Sequence, residues 1–269
     1  MTSHPHPKKE DARAGADQTA PSLPVGDIVF RIASMKSAVS QTISLARSEA
    51  GGHLHFANAW SVVTARDDAQ ARSAFAEGVC YPDGLPVVWA MRRGGAGASA
   101  SRVEGPRFFE SVIDTGRPAG LRHYLLGATP DTLRLLQLSL ESRYPGALIV
   151  GTSSPPFAPL DDEYVAKELL KVDEARPDIV WVGLGTPKQD LFAAMAAPGR
   201  SEVFACVGAA FDMSAGTLRR APRWMQRVGL EWLYRFAQEP RRLWRRYTYG
   251  NLKFLALALA MSRTTDATA

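Results

Sequence analysis

A carboxylate in a tight turn is the first feature of this sequence that could perform chemistry. Asp83 lies between a proline and a glycine in the segment 81–86, whose last proline suits the first turn of a following helix. Taken alone, such a segment favours a structural turn. The functional alternative is a general base at a cleft, where an apolar neighbour such as Trp89 would raise the pKa of the Asp83 carboxyl toward the working range.

A glycine-rich loop at residues 183–190 is the second such feature. The loop follows an apolar run, and the residues after Pro187 have the character of a helix start. Glycines let a ligand approach the main chain, and the N–H groups at a helix start can receive phosphate. A plain strand-to-helix turn is the structural alternative, but Lys188 and Gln189 would add donors at the same place and favour the phosphate site. A third glycine is missing, so the loop is not a dinucleotide fingerprint.

Polar side chains also mark the apolar run at residues 53–59. Asn58 could cap the next turn or donate to sugar hydroxyls, and the residues alone leave both roles open. His53 and His55 point to the same face of the predicted strand, as an i, i+2 pair would in a metal site. No third ligand is evident, so the pattern favours buried or solvated histidines.

Several enzyme classes are excluded by motifs that the sequence lacks. There is no phosphate loop ending in Gly-Lys-Ser/Thr, no Gly-x-Ser-x-Gly elbow and no His-Glu-x-x-His. The Asp-x-Asp metal clamp of many nucleotide-sugar enzymes is also missing, and the adjacent Asp67 and Asp68 fit a helix start instead. The two cysteines, Cys80 and Cys206, lack a metal-ligand spacing and suit a reducing compartment. We therefore predict neither a metal nor a cofactor.

The elements that must position these residues alternate between strands and helices. Short apolar runs predict six buried strands, at residues 27–32, 53–59, 122–127, 147–151, 178–183 and 202–208. Helical patterns occupy residues 36–50, 67–77, 107–114, 131–144, 162–175 and 188–197. The fold class predicted from this alternation is α/β, with a single doubly wound, mostly parallel Rossmann-like sheet.

Ligands of such sheets bind beyond the carboxyl ends of the strands. That rule places several polar or glycine-rich loops along one edge, at Asn58 and at residues 127–129, 151–153, 185–187 and 208–210. The residues predicted to bind substrate at this edge include Gly127, Gly185, Thr186, Lys188 and Gln189.

Basic charge is concentrated near the C-terminus. Between Arg219 and Lys253 there are ten Lys or Arg and two Glu, a net charge of +8 in a chain whose net charge is +5. The segment is also rich in Trp and Tyr, and Pro240 divides it into two predicted helices. Arginine mixed with interfacial aromatics is typical of helices at a membrane surface, although nucleic acid or a diphosphate would also suit the charge. No run of eighteen apolar residues predicts a membrane span.

The predicted organisation has four parts. Residues 1–25 form a disordered tail, since residues 1–22 are rich in Pro, Ser, Thr, Ala and charge and lack the apolar region of a signal peptide. Residues 26–218 form the α/β domain, and residues 219–254 form a basic, aromatic, helical appendage. Residues 255–269 form a C-terminal tail.

Taken in order, these segments resemble the WecG/TagA/CpsF glycosyltransferases (glycosyltransferase family 26). The resemblance covers Gly26 to Phe254 and extends through the appendage. Its most specific segments are Tyr81-Pro82-Asp83-Gly84, Arg102-Val103-Glu104-Gly105-Pro106, Leu126-Gly127-Ala128, Val182 to Asp190, Gly208-Ala209-Ala210-Phe211-Asp212 and Arg219-Arg220-Ala221-Pro222.

The resemblance implies an inverting, metal-independent transferase in cell-surface polysaccharide synthesis. It would move a hexose or N-acetylhexosamine-type sugar from a UDP-sugar to a polyprenyl-diphosphate-linked saccharide. Asp83 matches the proposed base, and the donor-sugar pocket is matched by Asn58, Arg102 and Gln189. The appendage places Arg219, Arg220 and Arg223 near the diphosphate. The enzyme is expected to be cytoplasmic and peripheral, at the anionic inner face of the plasma membrane.

One departure from the family pattern concerns the donor pocket, and two other functions stay open. A position that is often threonine in the family is Phe56 here, two residues before Asn58. The appendage alone would also suit a nucleic-acid-binding protein or a non-catalytic membrane scaffold. Neither alternative explains the residues of the Asp83 turn or of the loop at 183–190. We therefore expect no nucleic-acid partner. The donor sugar, the acceptor saccharide and the oligomeric state stay open.

Overall fold

A computed structural model describes residues 20–48 and 50–266, except for the side chains of Arg242, Arg245 and residues from 259 onward. Within this part a single eight-stranded sheet forms the centre of the fold. Its strands are Ser22–Val25 (β1), Ile28–Arg31 (β2), Gly52–Ala57 (β3), Val79–Pro82 (β4), Arg122–Gly127 (β5), Leu148–Ser153 (β6), Ile179–Gly183 (β7) and Val203–Cys206 (β8).

The strands lie in the order β1-β2-β4-β3-β8-β7-β5-β6. Every neighbouring pair is parallel except the β1–β2 hairpin at one edge. The predicted α/β class with a mostly parallel sheet is therefore confirmed, whereas the count of six strands is wrong. The prediction lacked β4, a four-residue strand ending in a proline, and β1, which lies inside the range 1–25 assigned to a disordered tail. Residues 22–25 are ordered because they pair with β2.

The helices include every predicted one and several more. The helices are Met35–Arg47 (α1), Ala59–Asp67 (α2), Ala69–Glu77 (α3), Leu85–Met91 (α4), Gly105–Gly116 (α5), Pro130–Arg143 (α6), Asp162–Ala175 (α7), Lys188–Ala196 (α8), Ala210–Ala215 (α9), Arg223–Arg227 (α10), Glu231–Gln238 (α11) and Pro240–Asp266 (α12). Short helical turns follow α4 at Arg92–Ala96 and Gly97–Ser99.

Buried apolar side chains cover both faces of the sheet. Adjacent residues of β7 show the alternation: Trp181 packs in a cluster with residues of α1, α5 and α6, whereas Val182 packs with residues of α7 and α8. All of these side chains point into a core that water cannot reach, and burying one of average size contributes roughly 1.5–3 kcal/mol. The core makes the sheet a rigid base for the loops at its carboxyl edge.

The C-terminal helices pack against the same domain. Gly250 of α12 allows a close approach to α2, since a Cβ there would lie 2.8 Å from the ring of Trp60. Phe254 joins the core cluster that contains residues of α2 and α4. The two helices predicted on either side of Pro240 are confirmed as α11 and α12, but α12 continues to Asp266, so residues 255–266 are helical and not a tail. No helix among the described residues combines the length and apolarity needed to cross a membrane.

Candidate active site

The strand order brings six loops into one line at the carboxyl edge of the sheet. From β4 to β6 these loops carry, in spatial order, Asp83, Asn58, Gly208, Gly185, Thr129 and Phe157. Because neighbouring strands lie ~4.8 Å apart, the steps from β4 to β6 span about 24 Å. The edge is long enough for an extended ligand with chemically different ends.

Asp83 follows β4 directly, and main-chain contacts fix its turn. Its N–H donates to the carbonyl of Ala57 at 2.9 Å, and its Oδ1 accepts the N–H of Gly105, the first residue of α5, at 3.1 Å. Gly84 lets the turn pack against Asn58, since a Cβ at Gly84 would lie 3.3 Å from the Asn58 Cβ. The predicted turn is therefore present, and it holds Asp83 at the N-terminus of a helix.

The Asp83 carboxyl has an ionisation suited to proton transfer near neutral pH. Burial raises its pKa from the ordinary value of 3.8 to about 6. The charge of Arg102 lowers this pKa, the charge of Glu231 raises it, and the N–H of Gly105 lowers it. A general base is most effective when its pKa lies near the operating pH, so Asp83 can accept a proton in neutral solution.

Arg102 connects the Asp83 turn to the C-terminal helices. Its Nε donates to the main-chain carbonyl of Asp83. Its Nη1 lies 3.1 Å from Glu104 Oε1, and its Nη2 lies 2.7 Å from Glu231 Oε2. The family resemblance implies a donor-sugar contact for Arg102. The structure places it beside the site with each guanidinium nitrogen already engaged by the protein.

Asn58 has the capping role that the sequence left open. Its Oδ1 accepts the N–H of Trp60 at 3.0 Å, and the Ser61 Oγ accepts the N–H of Asn58 at 3.2 Å, which together form a capping box at the start of α2. The cap uses the side-chain oxygen and not the amide nitrogen. Asn58 also borders the cavities next to Asp83, so its amide can donate to a ligand.

Two cavities meet at Asp83. The larger, which we call the apolar cavity, has a volume of about 920 Å³, and its lining includes Leu85, Trp89, Trp232, Tyr247, Phe254 and Leu255. The smaller, which we call the edge cavity, has a volume of about 530 Å³ and follows the carboxyl edge of the sheet as far as Phe157. The residues that border both are Asn58, Asp83, Arg102, Gln226, Glu231, Arg235 and Arg246.

The loop at residues 183–190 lines the middle of the edge cavity, and its own residues satisfy part of its hydrogen-bonding capacity. Gln189 is buried, its Oε1 accepts the N–H of Gly185 at 3.0 Å, and its Nε2 donates to the carbonyl of Cys206 at 3.3 Å. The N–H of Gln189 donates to the Gly185 carbonyl at 2.9 Å. The main-chain N–H groups of Gly185 and Gln189, which we predicted could bind phosphate, therefore already have hydrogen-bond partners within the loop. Thr186 and Lys188 also line the cavity.

The outer part of the edge cavity is formed by residues 154–157 and Lys188. The Lys188 Nζ donates to the carbonyl of Ala158 at 2.6 Å and lies 4.1 Å from the centre of the Tyr164 ring. Burial lowers the pKa of Lys188. Phe157 is fully exposed at this end of the cavity, although it is a large aromatic side chain. An exposed ring at a cavity rim can stack on a planar ligand.

Gly127 contributes to the site through packing. A Cβ at this residue would lie 2.6 Å from the main-chain carbon of Gly183, and its φ of +125° is one that glycine adopts most readily. Gly127 itself does not line the edge cavity, whereas its neighbours Ala128 and Thr129 do. The glycine therefore allows β5 and β7 to approach each other beneath the loops.

The three arginines predicted near the diphosphate lie at different places. Arg220 lines the edge cavity, and its Nη2 lies 2.8 Å from Glu110 Oε1. Arg219 and Arg223 are exposed and line neither cavity. The structure instead brings Arg235 of α11 and Arg246 of α12 to the junction of the cavities. Neither of these two arginines was predicted from the sequence as a site residue.

Four residues that border both cavities were not predicted from the sequence: Gln226, Glu231, Arg235 and Arg246. Glu231 and Arg235 are four residues apart on α11 and therefore lie on one face of that helix. This spacing was a usable signal, but it does not reveal which face turns toward Asp83. That depends on how the helix docks.

The two histidines of β3 form a buried chain with Asp190. His53 Nδ1 lies 2.7 Å from His55 Nε2, and His55 Nδ1 lies 2.8 Å from Asp190 Oδ1. The prediction that these histidines are buried is confirmed. The expectation that no further metal-ligand group lies nearby is wrong, since His55, Asp190 and Cys206 have donor atoms within 4.8 Å of one another. His55 pairs with Asp190 Oδ1, and the Cys206 thiol donates to the Gln189 carbonyl at 3.3 Å. Asp190 Oδ2 is buried and has no hydrogen-bond partner among the described residues. The cluster therefore anchors α8 beneath the loop that carries Gln189.

Large apolar side chains are exposed along the C-terminal helices. They are Trp224, Val228, Trp232, Leu233, Trp244, Tyr249, Leu252 and Leu255. Aromatic and leucine side chains of this kind, interleaved with arginine, have the composition of interfacial helices. The surface adjoins the apolar cavity, which Trp232 and Leu255 also line.

A comparison with known families adds an independent finding. The family model described as "Glycosyl transferase WecG/TagA/CpsF family" matches residues 23–267. The match includes the loops at the sheet edge and the C-terminal helices. It begins in β1 and extends past Asp266, beyond both ends of the resemblance that the sequence motifs alone had indicated.

Proposed function

The chain belongs to the WecG/TagA/CpsF glycosyltransferase family, and we propose that it transfers a hexose or N-acetylhexosamine-type sugar from UDP to a polyprenyl-diphosphate-linked saccharide. The family is one of glycosyltransferases in cell-wall polysaccharide synthesis. The proposed transfer inverts the anomeric carbon, needs no metal ion, and takes place at the inner face of the plasma membrane.

The position of Asp83 at the junction of the two cavities is the observation that carries this proposal. A direct displacement requires donor and acceptor to meet at one carboxylate, with one substrate on each side of it. The acceptor hydroxyl oxygen bonds to the anomeric carbon, the bond from that carbon to UDP breaks, and Asp83 takes the hydroxyl proton. The carbon passes through an oxocarbenium-like state, as in glycoside hydrolysis. The raised pKa of Asp83 suits this role.

We propose that the UDP-sugar lies along the edge cavity. Its sugar must reach Asp83 and Asn58, so the diphosphate is expected beside the loops after β8 and β7, and the nucleoside beside the loops after β5 and β6. Thr186 lies in the middle of this path, and Lys188 and Phe157 lie toward its far end. Phe56 lines the sugar end, where its ring packs 4.6 Å from that of Phe108.

The departing UDP accumulates negative charge that the site must stabilise. Arg220, Arg235 and Arg246 line the edge cavity, and Arg235 and Arg246 also line the apolar cavity. Fixed guanidinium groups suit a diphosphate, because they stay charged and donate in a planar fork. We assign the leaving-group role to these three arginines, of which Arg220 was expected from the sequence.

The acceptor is proposed to occupy the apolar cavity. Its rings and leucines suit a lipid or the carrier end of a lipid-linked saccharide, and the exposed aromatic surface beside it suits the membrane that holds such a lipid. Each arginine near an anionic surface contributes about 1 kcal/mol to binding, so the basic appendage can hold the enzyme there reversibly.

One experiment tests this function directly. The purified protein is incubated with a panel of UDP-sugars and a short-chain prenyl-diphosphate-linked acceptor in the presence of a chelator, and released UDP is measured. We expect release with at least one donor, dependent on the acceptor, and an unchanged rate in Asp114→Asn, whose carboxylate pairs with Arg117 away from both cavities. Failure of every donor, or a rate abolished by the chelator, would contradict the proposal.

A further inference from the structure

The C-terminal helices bring a carboxylate to the junction as well as arginines. Glu231 is the first residue of α11, and its Oε2 lies 2.7 Å from Nη2 of Arg102. The two side chains are 21 % and 18 % exposed, so the pair is well shielded, and both residues border both cavities. The proton transfer assigned to Asp83 does not itself require this second carboxylate.

Arg102 is the physical link between Glu231 and Asp83. One guanidinium nitrogen pairs with Glu231, another lies 3.1 Å from Glu104, and Nε donates to the main-chain carbonyl of Asp83. A planar guanidinium held at several points has little freedom to rotate. The position of α11 is therefore transmitted to the turn that carries Asp83.

A second bridge joins the same network to the preceding helix. Arg107 Nη2 donates to Gln226 Oε1 of α10 at 3.2 Å, and Arg107 Nε lies 3.1 Å from Glu104 Oε2. Arg107 is more exposed than Arg102, so its ion pair contributes less to stability. Of the two bridges, the one through Glu231 reaches Asp83 more directly.

We propose that Glu231 is a positioning residue, through which the docking of α11 sets the orientation of the Asp83 turn and the electrostatic field at its carboxylate. The inference rests on the proposed role of Asp83 as the base. The charged groups around that carboxylate are Arg102, Glu104 and Glu231, with Arg235 and Arg246 at the same junction.

The direction of the electrostatic effect follows from the charges. The negative charge of Glu231 raises the pKa of Asp83, so its removal lowers that pKa. The base must be ionised to act, and turnover therefore rises with pH through this pKa. Loss of the Glu231 charge moves the acid limb of the pH profile to lower pH. A purely structural role would reduce turnover at every pH and leave the midpoint in place.

Two substitutions of Glu231 separate charge from geometry. In Glu231→Gln the midpoint of the acid limb falls below that of the wild type. In Glu231→Asp the charge stays but the shorter side chain no longer reaches Arg102, so we expect an unchanged midpoint and a turnover lower by up to about 10²-fold. The matched control is Glu110→Gln, which removes a carboxylate that pairs with Arg220 at 2.8 Å but belongs to the middle of α5, and its midpoint should equal that of the wild type.

A second measurement does not depend on turnover. Hydrogen exchange at the N–H groups of Asp83 and Gly105, followed by mass spectrometry, is expected to accelerate in Glu231→Gln and not in Glu110→Gln. An unchanged exchange rate, or a midpoint of Glu231→Gln equal to or above that of the wild type, would overturn the inference. Absence of transfer by the wild-type enzyme would instead contradict the proposed function. The hydrogen-exchange rates would still show whether Glu231 holds the Asp83 turn in place.

Discussion

The guanidinium of Arg102 donates to the main-chain carbonyl of Asp83 and not to its carboxylate. An arginine paired directly with a carboxylate would hold its pKa low. Here the carboxylate accepts the N–H of Gly105 at 3.1 Å, and burial outweighs the positive charge nearby, so that its pKa is about 6. Arg102 thus fixes where Asp83 lies, while Asp83 stays able to accept a proton.

The exposed ring of Phe157 is expected to contribute to nucleotide binding. If the nucleoside lies at the β6 end of the edge cavity, the ring can stack on its base, and stacking of this kind contributes about 1–3 kcal/mol per base. Phe157→Ala should therefore raise the KM for the UDP-sugar by about tenfold, with kcat changed by less than about twofold. The control is Leu148→Ala on β6, also exposed but outside both cavities. Equal KM values in wild type and Phe157→Ala would rule out this orientation of the donor.

The arginines of the C-terminal segment should differ in their effect on turnover. Arg235 borders both cavities, and its loss removes a fixed charge from the leaving diphosphate, so Arg235→Gln should lower kcat by roughly 10²-fold. Arg223 is exposed and lines neither cavity, so Arg223→Gln should change kcat by less than about twofold. Steady-state kinetics with saturating donor measure both. The reverse order would favour the assignment made from sequence resemblance.

The exposed aromatics of the appendage are expected to bind anionic membranes. Replacing Trp224 and Trp244 together by glutamate removes two rings from the interface and adds negative charge, so association with phosphatidylglycerol vesicles should weaken by at least about tenfold. The control is Leu138→Glu, an equally exposed apolar residue on α6. Sedimentation with vesicles measures the effect. Retention of the wild-type protein on single-stranded DNA but not on vesicles would favour the nucleic-acid alternative.

Two buried histidines should make the fold less stable in acid. Burial lowers the pKa of His53 from 6.5 to about 3, assisted by His55, and burial lowers the pKa of His123 from 6.5 to about 4. Below pH 6.5 the unfolded chain binds protons that the folded histidines do not, so the free energy of unfolding falls by about 1.4 kcal/mol per pH unit for each. The raised pKa of Asp83 acts in the opposite sense below about 6.

Urea unfolding at several pH values checks this expectation. His53→Gln should show a shallower loss of stability between pH 6.5 and about 4, by about 1.4 kcal/mol per pH unit relative to the wild type. The same slope in both proteins would mean that His53 is protonated in the folded state. The comparison uses slopes, so any constant destabilisation from the lost contact with His55 does not affect it.

Local patterns made much of the fold predictable. The helix Asp162–Ala175 begins and ends at the residues expected from its periodicity, and β5 has its predicted bounds. By contrast β4 is too short for a hydrophobic pattern, and β1 has the composition of a tail. Pairing with neighbouring strands orders both, and pairing between distant segments leaves no local signal in the sequence.

The parts of the site that lie within a single loop could be predicted from the sequence. The turn around Asp83 and the loop with Thr186 and Lys188 were both found from residue type and spacing. The contributions of Glu231 and Arg235 depend on how α11 docks against the sheet domain, so their helical spacing alone could not identify them. Sequence also could not show that the donors of Gln189 are engaged by Gly185 and Cys206, because each partner becomes a neighbour only after folding.

The role of Asp83 is the central claim, and the pH dependence of sugar transfer by the wild type and Asp83→Asn tests it most directly. Wild-type turnover should fall below about pH 6 as the base gains a proton. Asp83→Asn should bind the UDP-sugar with unchanged affinity but lose turnover by roughly 10² or more, and it should lose this acid limb. Near wild-type turnover in Asp83→Asn, or an acid limb that survives the substitution, would contradict the claim.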